Sequence, residues 1–466
     1  MALVSRRQGL QLLLGGSHAL LLGAGTAGQG LPRPPVGAIE PVDDRAAPIA
    51  VSVGSSPRQT WIGAGWGCDG IGQAPAAAPL VDAHEAQLFT ELNCQVIRVH
   101  NPQSPDFVSA YKPISDIALR RGVDVILATG YVAAADSTPT ALAEAIDAAI
   151  IAGIPITHCS LQNEPDGNPN NRMPDSDIVP WHVELRSRLD ALGRRSVRVI
   201  GLEWAHFPNR SASRGATEFD LLHAAGLAGP DNVVAAGAGH CYRDCPAPAG
   251  YDERWLTVGS ALWSCETGNA GSPSAQARFA AALNHGAAVE IFHIGQSNSP
   301  DDGDPSQKLV RHDGTRQPYQ PAYGVIARAL ERGTVFRLCT CDDRPPRLPP
   351  TTAERMIRDS SSALNPRLQV AAGRRVDGRW AIIAVNATQG AADRPSKYLG
   401  GAYQAVTLQL TVSVAELAGL DRTFSVERAS ASGLLGERSA VNLKDGVTRF
   451  TLAAGETIGL VEDPGA

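Results

Sequence analysis

Between about residues 59 and 332, short apolar runs alternate with longer stretches in which apolar positions recur every three or four residues. A strand covered on both faces reads as a continuous apolar run, whereas a helix lying on a sheet shows a single apolar stripe. The runs predict strands at residues 60–63, 95–100, 123–128, 154–161, 197–203, 232–238, 257–265 and 288–294. The stripes predict helices at 81–92, 140–151, 178–192, 216–225, 274–285 and 321–332. Ser137-Thr138-Pro139 and Ser272-Pro273-Ser274 supply start signals for two of them. Eight strand–helix units over about 270 residues are what a (β/α)8 TIM barrel of the α/β class requires. The glycine-rich GAGWGCDGIG at 63–72 opens no clear helix, so it does not read as a dinucleotide loop.

After Gly333 the pattern changes to short, often alternating runs at 368–372, 380–386, 405–410, 423–427, 447–452 and 457–461, divided by Gly, Pro, Asp and Asn. Asp377-Gly378 lies between two of them as a hairpin turn. This half predicts a C-terminal antiparallel β-sandwich, and residues 49–53 are expected to lend it one extra strand. It holds no histidine beyond His312 and no cluster of catalytic residue types, so bracing the barrel is its expected role. The organisation is then 1–27 an export signal, 28–48 a Gly/Pro-rich linker, 49–332 the barrel and 333–466 the sandwich.

The signal reading rests on Arg6 and Arg7, the apolar residues 10–22 and the small residues Gly25-Thr26-Ala27. Ser5-Arg6-Arg7 also resembles a twin-arginine signal, with Gly9 where a bulky apolar residue is usual. An N-terminal helix of the mature fold is the alternative. The expected destination is the periplasm or the exterior. Past residue 22 no apolar run is long enough for a membrane anchor, since Glu144 and Asp147 interrupt the nearest. Hydrophobic residues at 43% and charged ones at 19% fit a globular chain. A net charge of −6 gives no basic face for nucleic acid. Eight cysteines are too few for a disulfide scaffold, although Cys241 and Cys245 are close enough in sequence to form a loop disulfide after export.

Functional side chains of such a barrel stand where strands end. The fourth strand ends Ser160-Leu161-Gln162-Asn163-Glu164-Pro165, and the seventh ends Leu262-Trp263-Ser264-Cys265-Glu266-Thr267-Gly268. Each delivers a glutamate to the same face, from opposite sides of the mouth. Two facing carboxyl groups are the minimal equipment for cleaving a glycosidic bond. Retention of configuration needs them about 5–5.5 Å apart, and inversion about 6.5–9.5 Å. Glu203, at the end of strand five in GLEW, is a third carboxylate on that face, expected to bind substrate or to support the other two. Trp66, Tyr131, Trp204 and Tyr242 are the candidate sugar-stacking aromatics.

HCSLQNEPD resembles the acid/base segment of clan A glycoside hydrolases, and LWSCETG the nucleophile segment. The chain is most similar to glycoside hydrolase family 30, in QNEP, in Ile97-Arg98-Val99 through Ser104-Pro105-Asp106-Phe107, and in QPAYGVIARALERGTVFR. The resemblance spans roughly residues 59–466. It implies a barrel with a side β-sandwich and an enzyme that hydrolyses β-linked oligo- or polysaccharides with retention and without a cofactor. On this resemblance Glu164 is the general acid/base and Glu266 the nucleophile. Asn163 binds the sugar 2-hydroxyl, Arg98 orients Glu266 and keeps it ionised, and His240 and Tyr242 stand beside Glu266. Two places depart from the family: LATGYVAAAD replaces a Trp/Pro-rich segment, and IFHIGQSN puts His293 where a stacking tryptophan is common. His100, His158, His240 and His293 lack a short metal-ligand spacing, so no metal is expected. A non-catalytic glycan-binding protein on the same scaffold is the competing reading.

Overall fold

The computed structural model describes residues 48–68, 85–102, 104–129, 138–166, 173–205, 212–241, 251–268, 274–296, 308–311, 313–317, 319–343, 367–388, 405–430 and 439–464. The proposed signal, all but Pro48 of the linker, Tyr131, Tyr242 and Cys245 lie outside them.

Ile49–Thr60 (β1) precedes the barrel. The barrel strands are Gly63–Gly67 (β2), Val96–His100 (β3), Asp124–Ala128 (β4), Ile156–Ser160 (β5), Arg198–Ile200 (β6), Gly237–Cys241 (β7), Leu262–Thr267 (β8) and Ala287–Phe292 (β9). All eight form one parallel sheet in the order β6-β5-β4-β3-β2-β9-β8-β7. The parallel bridges Val199↔Val234 and Trp204↔Gly239 join its two ends and close the ring. Outside it stand Phe107–Arg121 (α1), Pro139–Ile151 (α2), Asp175–Ala191 (α3), Ala212–Ala224 (α4), Tyr251–Thr257 (α5), Ser274–Asn284 (α6) and Tyr319–Ala329 (α7). A π-helical turn, Ala86–Thr90, lies within the helix expected at 81–92.

Period-two alternation divides the strand residues between two cores. Val96, Ile126, Ile200, Ala238, Trp263, Cys265, Val289 and Ile291 pack together, drawn from six of the strands, and fill the barrel. Their neighbours Ile97, Val99, Val125, Leu127 and Val199 join the core under the helices. The glycine-rich run finds its reason in β2, where neighbouring chain approaches too closely for a side chain. A Cβ on Gly65 would stand 1.6 Å from the Val96 carbonyl oxygen, and one on Gly67 2.1 Å from that of His293.

A small parallel pair, Ile294–Gln296 (β10) with Lys308–Val310 (β11), follows the barrel. The second sheet adds Val335–Cys341 (β12), Leu368–Arg374 (β13), Trp380–Asn386 (β14), Leu408–Val414 (β15), Arg422–Ala429 (β16), Ser439–Leu443 (β17), Val447–Leu452 (β18) and Thr457–Glu462 (β19) to β1. Its order is β17-β16-β19-β14-β13-β12-β1-β15-β18. The two outermost strands are consecutive in sequence and meet at a tight turn (Lys444↔Val447), so the sheet folds over onto itself. Val51, Val53, Leu368, Val370, Ile382, Leu410, Val412, Phe424 and Leu460 fill the space enclosed. One pairing departs from the antiparallel pattern, since β1 runs parallel to β15.

Barrel and second sheet share a core. Ala371, Ala381, Ile383 and Val385 belong to the same cluster as Phe279, Ala280 and Ile326 of α6 and α7. The Asn284 side chain donates to the Cys339 carbonyl (3.1 Å) and accepts from its N–H (2.8 Å). Among the described residues no helix is long and apolar enough to cross a membrane.

Candidate active site

The site is assembled at the C-terminal ends of β3, β5, β7 and β8, and at the segments just beyond β5 and β6. Arg98 and His100 are two residues apart on β3 and share a face. Arg98 is fully buried; its Nη1 bonds to Glu266 and to His100, and its Nη2 donates to Asn163 Oδ1 (3.0 Å) and to Glu203 Oε2 (2.6 Å). One planar fork thus ties together groups from strands β3, β5, β6 and β8.

Beyond β5 the Asn163 N–H donates to the Thr129 hydroxyl (3.1 Å), and the Glu164 N–H to the Glu203 carbonyl (2.8 Å). Glu164 adopts left-handed backbone, φ 47°, a conformation that costs a non-glycine residue about 1–2 kcal/mol. Such strain persists only where surrounding structure enforces it, and it gathers at functional sites. Glu266 reaches the mouth through a break in register. Gly239 pairs with Ser264 but His240 with Glu266, so Cys265 is the extra residue of a bulge. Cys265 then points into the barrel core, and its neighbour Glu266 is turned toward the opening.

His240 lies between the carboxylates. Its Nδ1 is 3.0 Å from Glu164 Oε1 and 3.3 Å from Glu266 Oε2, and its Nε2 is 3.1 Å from Glu203 Oε2. Burial alone would drive the imidazole down, but the charge of Glu266 and hydrogen bonds to Glu164 and Glu203 outweigh it and raise its pKa to about 10. Burial likewise works to raise Glu203. Arg98, His240 and the Ser160 hydroxyl overcome it and hold that carboxyl below the ordinary range. An oxygen of Glu164, an oxygen of Glu266 and a His240 ring nitrogen all lie within 4.8 Å of one another. Among the described residues these three are the group spaced closely enough to hold a metal ion. The guanidinium and the imidazolium already supply positive charge there, which opposes a divalent cation.

The expected site residues separate into those open to a ligand and those behind them. The side chains of Glu164 (15% exposed) and His293 (18%) are partly exposed and that of Glu266 (5%) is nearly buried, with His293 Nε2 3.8 Å from Glu266 Oε2. Glu203 is 0% exposed and lies against Arg98 and His240, behind the residues nearer the opening. Trp204, 1% exposed, gives its indole N–H to Glu218, and Trp66, fully buried, gives its own to the Leu88 carbonyl. Neither offers a face for sugar stacking. Tyr131 and Tyr242 lie outside the described residues, as does Cys245 and with it the expected pairing to Cys241. His158 stands apart, packed on Trp263 at 4.6 Å between ring centroids, with burial lowering its pKa to about 4.

Three contributors were not among the expected site residues, although His100 was weighed as a metal ligand. His100 Nε2 lies 3.9 Å from Glu266 Oε1 and in contact with Arg98; the spacing of two from Arg98 was the available signal. Ser160 donates to Glu203, and Thr129 steadies Asn163. Nothing local marks either residue.

No family model matches the chain, and no curated protein matches it in sequence. Solved structures do match. A glycoside hydrolase family 30 subfamily 8 xylanase, Xyn30A of Clostridium acetobutylicum, superposes with a TM-score of 0.59 at 16% identity, over 89% of this chain and 99% of that one. The chain has a glycoside hydrolase fold. The catalytic domain of xylanase C of Talaromyces cellulolyticus, also of family 30, gives 0.62 at 14% identity, over 89% and 100%. A family 51 arabinofuranosidase of Xanthomonas axonopodis gives 0.56 at 11%, over 89% and 100%. This glycosidase fold carries both its barrel and its second sheet through the alignments, which span nearly the whole of each relative.

Proposed function

We propose that the chain is an exported glycoside hydrolase that cleaves β-linked glycans with retention of configuration. One observation carries the reading: oxygens of Glu164 and Glu266 come within 4.8 Å of each other at the barrel mouth. That closeness favours a double displacement, for which carboxyl groups stand about 5–5.5 Å apart, over the wider spacing of about 6.5–9.5 Å that an inverting enzyme uses. The residues up to 332 form the catalytic part on this reading, and 333–466 brace it together with β1.

Glu164 donates its proton to the glycosidic oxygen as the bond to the anomeric carbon breaks, and a Glu266 carboxylate oxygen bonds to that carbon. Water then attacks the same carbon, Glu164 takes its proton, and the bond to Glu266 breaks, which returns both carboxyls to their starting states. Arg98 holds Glu266 in line and engages Asn163 by its carbonyl oxygen, leaving the Asn163 NH2 group for the sugar 2-hydroxyl. His240, charged at neutral pH, is the fixed cation between the two glutamates.

The test is Glu266→Ala, assayed on 4-nitrophenyl β-glycosides and β-linked polysaccharides. Turnover is expected to vanish, and azide to restore part of it while releasing an α-glycosyl azide. Undiminished turnover in Glu266→Ala would remove the assignment.

A further inference from the structure

The barrel wall is weakest between β6 and β7, where isolated bridges replace a continuous ladder. The three residues spanning that gap, Leu202, Glu203 and Trp204, also carry the site. The Glu203 carbonyl accepts from the Glu164 N–H (2.8 Å), and the Trp204 carbonyl accepts from the His240 N–H (2.9 Å). The backbone positions of the acid/base glutamate and of the imidazole therefore both depend on this one tripeptide.

What fixes the tripeptide comes from outside the barrel. Glu218 of α4 is 0% exposed, and its carboxylate grips both ends. Oε1 accepts from the Leu202 backbone N–H (2.8 Å), and Oε2 accepts from the Trp204 indole N–H (2.7 Å). Gly201 makes room for it, since a Cβ there would come within 2.9 Å of Oε1. One turn earlier on α4, Arg214 lies over the Trp204 ring at 5.4 Å and bridges to Asp175 of α3 at 2.5 Å. Burying a carboxylate so completely is costly, and burial raises the Glu218 pKa to about 7. A glutamine or a leucine would fill the same space at less expense. Both partners are donors, however, and only a carboxylate has an acceptor for each.

We infer that Glu218 is a positioning residue, a buried carboxylate that holds Leu202–Trp204 in register and through it sets Glu164 and His240 for glycoside cleavage. The inference rests on the glycosidase reading above, and it touches neither substrate nor reacting atoms. Glu218→Gln keeps the volume but must turn an NH2 group toward a donor, so the tripeptide shifts without a cavity opening. A misplacement of about 1 Å costs roughly 100-fold in rate, so kcat should fall by about tenfold to a hundredfold with KM within about twofold. The thermal midpoint should be retained, because a buried charge has been removed. Trp204→Phe, which deletes one donor and leaves a ring, should lower kcat in the same direction by less.

The experiment measures kcat and KM on 4-nitrophenyl β-glycosides for wild type, Glu218→Gln, Trp204→Phe and Glu266→Ala, and records the His240 imidazole resonances by NMR for the first three. The result expected is a reduced kcat together with displaced His240 resonances in Glu218→Gln. Wild-type kcat, or His240 resonances that stay in place, in Glu218→Gln overturns the inference. Full turnover in Glu266→Ala overturns the glycosidase reading instead, and the His240 resonances then decide the role of Glu218 by themselves.

Discussion

Arg98 shows how much one side chain is asked to do. Three acceptors from three other strands or strand ends converge on its guanidinium, and two of them, Glu203 and Glu266, are buried carboxylates. Removing one member of a buried ionic group leaves charge without compensation, at a cost of about 3–5 kcal/mol. Arg98→Leu is therefore expected to lose stability of that order in urea unfolding at pH 7, along with turnover. Arg98→Lys should recover the charge but not the three-way geometry, since an ammonium lacks the planar fork. A loss below about 1 kcal/mol in Arg98→Leu would show the network to be dispensable. Glu164 and Glu266 were legible before any coordinates, because they follow apolar runs whose ends converge in a barrel, whereas Arg98 and His240 were named through the family resemblance. The burial of Trp66 and Trp204 was not legible. Whether an aromatic ring faces a cleft or a core depends on what packs over it, and Leu88 and Glu218 arrive from elsewhere in the chain.

At the scale of elements, strands β3, β4 and β14 stand where their apolar runs put them, because runs buried on both faces leave no other register. Helix α1 went unseen because Pro113 interrupts its stripe; Phe107, Tyr111, Ile114 and Ile117 nevertheless bury one face. Helix α5 went unseen, a run of mixed residues ending at Thr257, where the expected seventh strand began, with too few turns to show a period. Strands β12 and β17 carry exposed Leu338 and Ser439, which blurred the alternation. Of the barrel strands, β6 is the shortest, with three residues, and its contact with β7 is made by separate bridges. By contrast β13 and β14 pair over seven residues without interruption. Amide exchange should therefore be faster along residues 198–201 than along β13 and β14, since an element opens with the few contacts that hold it. Equal protection of the two in exchange mass spectrometry would mean that side-chain clamps such as Glu218 restore what the ladder lacks.

The whole molecule carries several buried titratable groups whose pKa values were invisible in composition, because burial and partners set them. His158 and His182 are lowered to about 4 by burial, from 6.5. A lowered pKa contributes stability that is present above the unfolded value of 6.5 and lost as pH falls through about 4. Glu218 and Glu290 are raised by burial to about 7 and about 8, from 4.5. His240 is raised to about 10 from 6.5, its burial outweighed by the carboxylates around it. Raised values act in the opposite sense: their contribution is complete below the unfolded pKa and disappears as pH climbs through the folded one. The two sets leave stability greatest on the weakly acidic side of neutrality. Between pH 4.5 and 6.5 the two histidines and the two carboxyls offset one another, so stability should fall below about pH 4.5, and fall again above about pH 6.5 as Glu218, Glu290 and then His240 lose their contributions at about 7, 8 and 10. Urea unfolding at intervals from pH 4 to 10 checks this, with His240→Gln removing the uppermost part of the alkaline limb. Stability that kept rising to pH 9 would contradict the charges assigned to all three of those groups. The imidazolium between Glu164 and Glu266 belongs to the same titration: it persists until pH approaches about 10, and its loss leaves the carboxylates around it without that compensating charge.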